Sequence, residues 1–129
     1  MSNKSKGSNA ERELLGLFRE HGWRSARVAG SGVNDESPCD LIAGKAGKTG
    51  KAVEAKSSKK TRIYISRAQV EDFLMFAEMT GLEAVFAARF NREGWFFLKP
   101  EMLESSGGNW VISLEQAKTK GKRFGQFFE

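Results

Sequence analysis

One cysteine and one histidine occur in this 129-residue chain. A single cysteine, Cys39, excludes an internal disulfide framework and suits a reducing compartment. A thiol nucleophile would need a base beside it, and the lone His21 falls at an expected helix end, so Cys39 reads as a structural residue. No apolar run is long enough to cross a membrane, and the polar start from Met1 to Asn9 lacks the apolar core of a signal peptide. A cytoplasmic protein with no membrane partner is expected. Internal repeats and low-complexity tracts are absent as well. Gly30, Ser31 and Gly32 are followed by neither a P-loop lysine nor Rossmann spacing, so they make no phosphate-binding fingerprint.

What the chain has in quantity is positive charge. Lys and Arg number 21 against 16 Asp and Glu, for a net +5 and a pI near 9.5, which favours a polyanionic partner. The charge is unevenly placed. Between Lys45 and Arg67 stand Lys45, Lys48, Lys51, Lys56, Lys59, Lys60, Arg62 and Arg67 against the one acid Glu54. With 40% hydrophobic residues, positions 1–129 suit a single domain with a real core.

That basic stretch surrounds an unusual hairpin. Two short apolar segments flank a loop with glycines at 44, 47 and 50. Pairing Gly44 with Gly50 sets Asp40 opposite Glu54, and strand alternation adds Lys56 to the same face. Opposed like charges weaken a sheet, and a divalent cation reverses that sign.

Around the hairpin, residues 1–7 read as a flexible basic arm. Ser8 and Glu11 have capping-box spacing for a helix that ends at Gly22, with Leu14, Leu15 and Phe18 as its inward stripe. Glu11 shares that stripe and can reach the sheet, though it also serves as the third residue of the cap. Residues 23–28 read as a strand, and a glycine-rich loop leads from Ala29 to Pro38. After the hairpin come an extended segment at residues 62–65 and a second capping box, Ser66 with Gln69, opening a helix to Gly81. Met75, Phe76 and Met79 spread its apolar surface beyond one core stripe, as at a subunit interface. Residues 84–88 and 95–98 read as strands, 109–112 as a last short strand and 113–120 as a short helix. A basic and aromatic tail spans 118–129. The order of elements implies an α/β fold with a mixed central β-sheet flanked by helices.

Hydrolysis of a phosphodiester needs an activated water and stabilisation of developing negative charge. Magnesium held by one or two carboxylates supplies both, and Asp40 and Glu54 fit that ligand count, with the Ala55 carbonyl as a further ligand. Lys56 is a compact cation suited to orienting water or stabilising charge. Glu11 completes the acidic cluster as a ligand or by positioning water, and Arg12 beside it is placed to contact a phosphate. A Glu-x-Lys pair alone is a weak signal, since alternating charges on exposed strands are common. Leu41, Ile42, Ala43, Val53 and Ala55 make this hairpin too apolar for a solvated one.

Asp40, Glu54, Ala55 and Lys56 with the upstream Glu11 resemble the PD-(D/E)xK nuclease superfamily, and more closely the archaeal Holliday junction resolvases. Residues 10–15, 27–33, 39–44, 53–56, 64–66 and 95–98 sit where that family has similar stretches. The resemblance implies a restriction-endonuclease-like core and a homodimer that nicks opposing strands of four-way junction DNA using Mg2+, for which Mn2+ can substitute. By the same resemblance Glu11, Asp40, Glu54 and Lys56 carry over as catalytic, Ser31 as a residue of the active-site loop, and Arg12 as a DNA contact. Arg27, Lys45, Lys48, Lys59, Lys60 and Arg62 are the further expected DNA contacts. Cys39 departs from the motif, standing where a proline usually precedes the aspartate. The match is less specific beyond Ile112. The alternatives are a related nuclease acting on flaps or duplex DNA, and a non-catalytic binder working through counterion release.

Overall fold

The structure, a computed structural model, describes residues 3–28 and 38–129. Helix α1 runs over Asn3–Glu20, so the segment expected as a flexible arm is helical from Asn3. Ser8 lies inside that helix, not at the start where the capping box with Glu11 had placed it. Four-residue β1 (Arg24–Arg27) follows, then β2 (Leu41–Gly44) and β3 (Lys51–Ser58) form the hairpin. Leu41 pairs with Val53, Ile42 with Ala52 and Ala43 with Lys51, which is the register that sets Asp40 across from Glu54. Gly47 turns the tip at φ 81°, a conformation that glycine reaches without Cβ strain.

Strand β4 (Arg62–Ser66) leads into helix α2 (Arg67–Thr80), whose first turn is capped by the Ser66 hydroxyl accepting the Gln69 N–H. Gly81 stops it in the left-handed region at φ 73°. Strands β5 (Glu83–Phe90) and β6 (Gly94–Leu98) complete a five-stranded sheet in the order β1-β2-β3-β5-β6. Among the described residues only the β3–β5 pairing of this sheet is parallel, which requires the crossover through α2.

A short 3-10 turn at Pro100–Met102 precedes β7 (Glu104–Ser106) and β8 (Asn109–Ser113). These join β4 in a separate three-stranded sheet, order β4-β8-β7, beside the mixed central sheet that was expected. Helix α3 (Leu114–Thr119) is capped by the Ser113 hydroxyl, and one-turn α4 (Phe124–Phe127) closes the chain.

The large sheet separates two cores. On one face α1 buries Leu14 and Phe18 against Val53, Val85, Ala87 and Phe97. The tail docks there: Phe124 and Phe128 are buried, with ring centroids 4.9 and 5.1 Å from that of Phe18. Lys122 and Phe97 exchange two backbone hydrogen bonds along β6, shielding that edge strand. On the other face α2 sets Val70, Phe73 and Ala77 against Phe86, Ala88 and Phe90, and the small sheet adds Ile63, Ile65 and Ile112. Strand β3 is therefore covered on both faces at its centre, and the charged side chain there, Glu54, is desolvated.

Candidate active site

The hairpin's register fixes the site. Asp40 is the last residue before β2, and its N–H donates to the Val53 carbonyl at 3.0 Å. Upstream of Asp40 the chain leaves the sheet. The Asp40 carboxylate itself then accepts the Ala55 N–H at 2.7 Å, taking the place of a continuing strand. Its orientation is thereby set by backbone.

Glu54, at the centre of β3, is one of two buried polar side chains among the described residues, at 5% exposure. Alternation directs it and Lys56 to the α2 face, since Ala52 belongs to that core while Val53 and Ala55 belong to the α1 side. Three groups meet Glu54. The Gln69 amide donates to Oε2 at 2.7 Å, the Lys56 ammonium stands 3.8 Å from the same oxygen, and the Asp40 carboxyl lies within hydrogen-bonding reach.

Burial dominates the electrostatics. It pushes Glu54 up to about 8, with the negative charge of Asp40 adding to the shift and Lys56 opposing it. Asp40 is raised as well, mainly by burial, although the Ala55 N–H, Lys56 and Arg27 favour its ionised form. The adjacent Cys39 thiol is pushed up to about 11 by burial and by the two carboxylates, which makes it a poor nucleophile and supports its structural reading. Asp40 and Glu54 thus form a pair that burial discourages from ionising together.

Glu11 comes from α1 on the opposite face. Its Oε1 accepts the Arg27 Nε–H at 2.8 Å, an ion pair between α1 and the end of β1. Partial burial and the charge of Asp40 raise its pKa, while Arg27 lowers it. A cleft of about 360 Å³ brings Glu11 together with Asp40, Ala55, Lys56, Ser57 and Trp95. Among the described residues no three Asp, Glu, His or Cys side chains converge closely enough to make a preformed metal centre. The Asp40 and Glu54 pair is nevertheless an oxygen-only donor set whose mutual repulsion a hard divalent cation would relieve, so the residues fit such an ion.

The remaining candidates divide by position. Arg12 is exposed on α1 beside Glu11, where its Nη1 donates to the Asn9 side chain. Lys59 lines a second cleft of about 460 Å³ with Ser57, Ser58, Arg89 and Asn91, adjoining the first through Ala10 and Ser57. Lys60 and Arg62 are exposed on the connection from β3 into β4. Lys45 and Lys48 sit at the hairpin tip, at the opposite end of β2 from Asp40, and the Lys45 ammonium donates to the His21 carbonyl at the end of α1. The hairpin tip, with Lys45 and Lys48, therefore lies a strand length away from Asp40 and Glu54. Ser31 lies outside the described residues.

Two contributors escaped the sequence reading. Gln69 was assigned to a capping box, and its spacing from Ser66 gave no hint of Glu54. Arg89 and Trp95 both donate to Glu13 Oε1, at 2.8 and 2.6 Å, which ties α1 to β5 and β6 just behind the cleft. Only the sheet topology brings those three together.

Comparison with known proteins places this arrangement. Residues 2–127 match the family described as archaeal Holliday junction resolvase (hjc). The crossover junction endodeoxyribonuclease Hjc of Archaeoglobus fulgidus is 39% identical over 133 residues, covering 97% of this chain and 96% of that protein. The protein of the same name from Methanocaldococcus jannaschii is 40% identical over 108 residues, covering 83% and 75%. The solved structure of Archaeoglobus fulgidus Hjc, a Holliday junction resolvase from an archaeal hyperthermophile, superposes with a TM-score of 0.82 at 33% identity, covering 94% of this chain and 93% of that one.

Proposed function

The chain belongs to the archaeal Holliday junction resolvase family, endonucleases of crossover DNA, and on that premise we propose that Asp40, Glu54 and Lys56 form its phosphodiester-hydrolysing centre. The observation that carries this reading is the carboxyl pair at the open end of the hairpin, Glu54 buried and Asp40 half-buried, with an ammonium 3.8 Å from Glu54. Two carboxyls held together at that energetic disadvantage, one of them at the centre of a covered strand, have a use as a cation site.

Asp40 and Glu54 would hold Mg2+, with Mn2+ as a substitute and the Ala55 carbonyl as a further oxygen. Such an ion, when bound, supplies Lewis-acid polarisation of the phosphate and a nucleophilic water at neutral pH. The chain's own groups do the rest. The Ala55 N–H fixes the Asp40 carboxylate, and the β3 backbone fixes Glu54 and Lys56 relative to it. Lys56, on the rim of the cleft, offers a positive charge to the developing negative charge on the reacting phosphate. Glu11, across the cleft, orients water once Arg27 turns to a DNA phosphate. Arg12 and Lys59 flank the cleft and contact neighbouring phosphates.

The substrate is four-way junction DNA, cut by paired nicks. A symmetric junction presents two related phosphates, so a two-fold dimer with two such sites suits the task. Helix α2 offers the surface for it: Met75 and Met79 are 60% and 81% exposed, beside half-buried Leu74 and Phe76. No described helix is long and apolar enough to cross a membrane.

The test is cleavage of a synthetic four-way junction, a flap and a linear duplex in competition, with Mg2+ or chelator. Preferential, Mg2+-dependent paired nicking of the junction is expected. Equal cutting of linear duplex would remove the junction assignment, and scission in chelator would remove the metal.

A further inference from the structure

We infer that Gln69 is a positioning residue for Glu54, holding the carboxylate in the geometry in which it takes up the divalent cation; this rests on the active-site reading above. Three observations carry it. The Gln69 Nε2 donates to Glu54 Oε2 at 2.7 Å, and no other described group approaches that oxygen so closely as a donor, since Lys56 stands 3.8 Å away. The amide's orientation follows from chemistry, because a carboxylate accepts from the NH2 group and repels the amide oxygen.

The second observation is what Gln69 forgoes. In a full capping box the Ser66 hydroxyl accepts the Gln69 N–H while the Gln69 side chain returns to the Ser66 N–H. Here the first half is present, with Ser66 Oγ 3.1 Å from the Gln69 nitrogen, while the side chain is turned to the catalytic strand. A helix selected for its own stability would close the box.

Third, the mount is rigid. Gln69 lies in the first turn of α2 and adjoins Val70, which is buried in the core that α2 shares with Phe86, and Phe86 pairs with Glu54 across β3 and β5. Glu54 has three side-chain torsions between its backbone and its carboxylate. Strand geometry alone fixes none of them, and a donor on an adjacent packed element does.

The experiment compares the full-length protein with Gln69→Met, which keeps length and packing without a donor, and Gln69→Asn, whose donor falls one methylene short. Gln69 is largely exposed apart from its amide contact, so both variants keep the core. Mn2+ binding by calorimetry without DNA, single-turnover junction cleavage across a Mg2+ series, junction affinity in chelator and thermal unfolding are measured. Both variants are expected to bind Mn2+ about 10- to 100-fold more weakly and to cut more slowly at any given Mg2+. Junction affinity stays within about twofold of the parent's, since a positioning residue for the cation has no contact with DNA. Mn2+ affinity and cleavage both within twofold of the parent would overturn the role of Gln69 alone. A parent that neither binds Mn2+ nor cuts would overturn the reading of the site, and the role with it.

Discussion

Replacing Glu54 with glutamine should make the metal-free protein more stable at pH 8 and leave its stability unchanged at pH 5. In the folded chain Glu54 is raised from about 4.5 to about 8. A group whose folded pKa lies above its unfolded one binds more protons when folded, so its contribution is fully present below about pH 4.5 and is lost as pH rises through 8. At about 1.4 kcal/mol per unit, the three units between pH 5 and pH 8 set an upper bound of about 4 kcal/mol. Asp40 and Glu11 are raised in the same direction and add to the slope. Water entering from the cleft beside the pair reduces the effect to about 2 kcal/mol, by the high effective dielectric of such sites. The glutamine is isosteric and uncharged. Its carbonyl accepts from Gln69 and its NH2 donates to Asp40, so of the three contacts only the ion pair with Lys56, at 3.8 Å, is lost. At fixed protein concentration, thermal unfolding in chelator should place Glu54→Gln about 6–8 °C above the parent at pH 8 and level with it at pH 5. Saturating Mg2+ should stabilise the parent by mass action and leave the variant unmoved. A variant less stable than the parent at pH 8 in chelator would refute the reasoning, because Glu54 would then be a net stabilising charge.

Further outcomes follow from other parts of the molecule. Phe124→Ala removes a ring packed on Phe18, Phe97 and Phe128 and should cost about 3–4 kcal/mol in urea unfolding at constant m. Lys59→Ala should weaken junction binding and reduce its salt slope by about one ion, whereas Lys45→Ala and Lys48→Ala together should change little in a gel-shift titration. Met75→Lys with Met79→Lys should convert a dimer to a monomer by light scattering, with the thermal midpoint of the folded unit falling and becoming independent of concentration. Arg27→Ala should lower junction affinity, and by leaving Glu11 without its partner it should raise the Glu11 pKa further, read by NMR titration of the carboxyl carbon.

The hairpin was legible because its signals are local. Glycines at both ends of one loop fix a register, and register fixes which side chains oppose, so Asp40 and Glu54 were brought together by counting. Helix α2 was legible for the same reason, with Ser66 and Gly81 at its ends. The start of α1 was not. Ser8 and Glu11 have the spacing of a cap, but spacing alone does not stop the preceding residues from continuing the helix. The second sheet was hidden because β7 is three exposed polar residues with no alternating apolar pattern. Its pairing with β8 is a tertiary fact. Sequence proximity was a poor guide to the hairpin lysines' distance from the site: the loop that carries them sits a full strand length from Asp40 in space. Gln69 was hidden by a motif it half fulfils, and the place of the aromatic tail by the absence of any local signal for its packing on α1 and β6.

The most direct test is single-turnover cleavage of a synthetic four-way junction in Mg2+ by the parent, Asp40→Asn, Glu54→Gln and Lys56→Ala, with junction affinity measured beside it. The parent should nick opposing strands, and each variant should lose at least about a thousandfold in rate while binding the junction as before. A variant of Asp40, Glu54 or Lys56 that retains full cleavage would contradict the assignment of the centre to the hairpin.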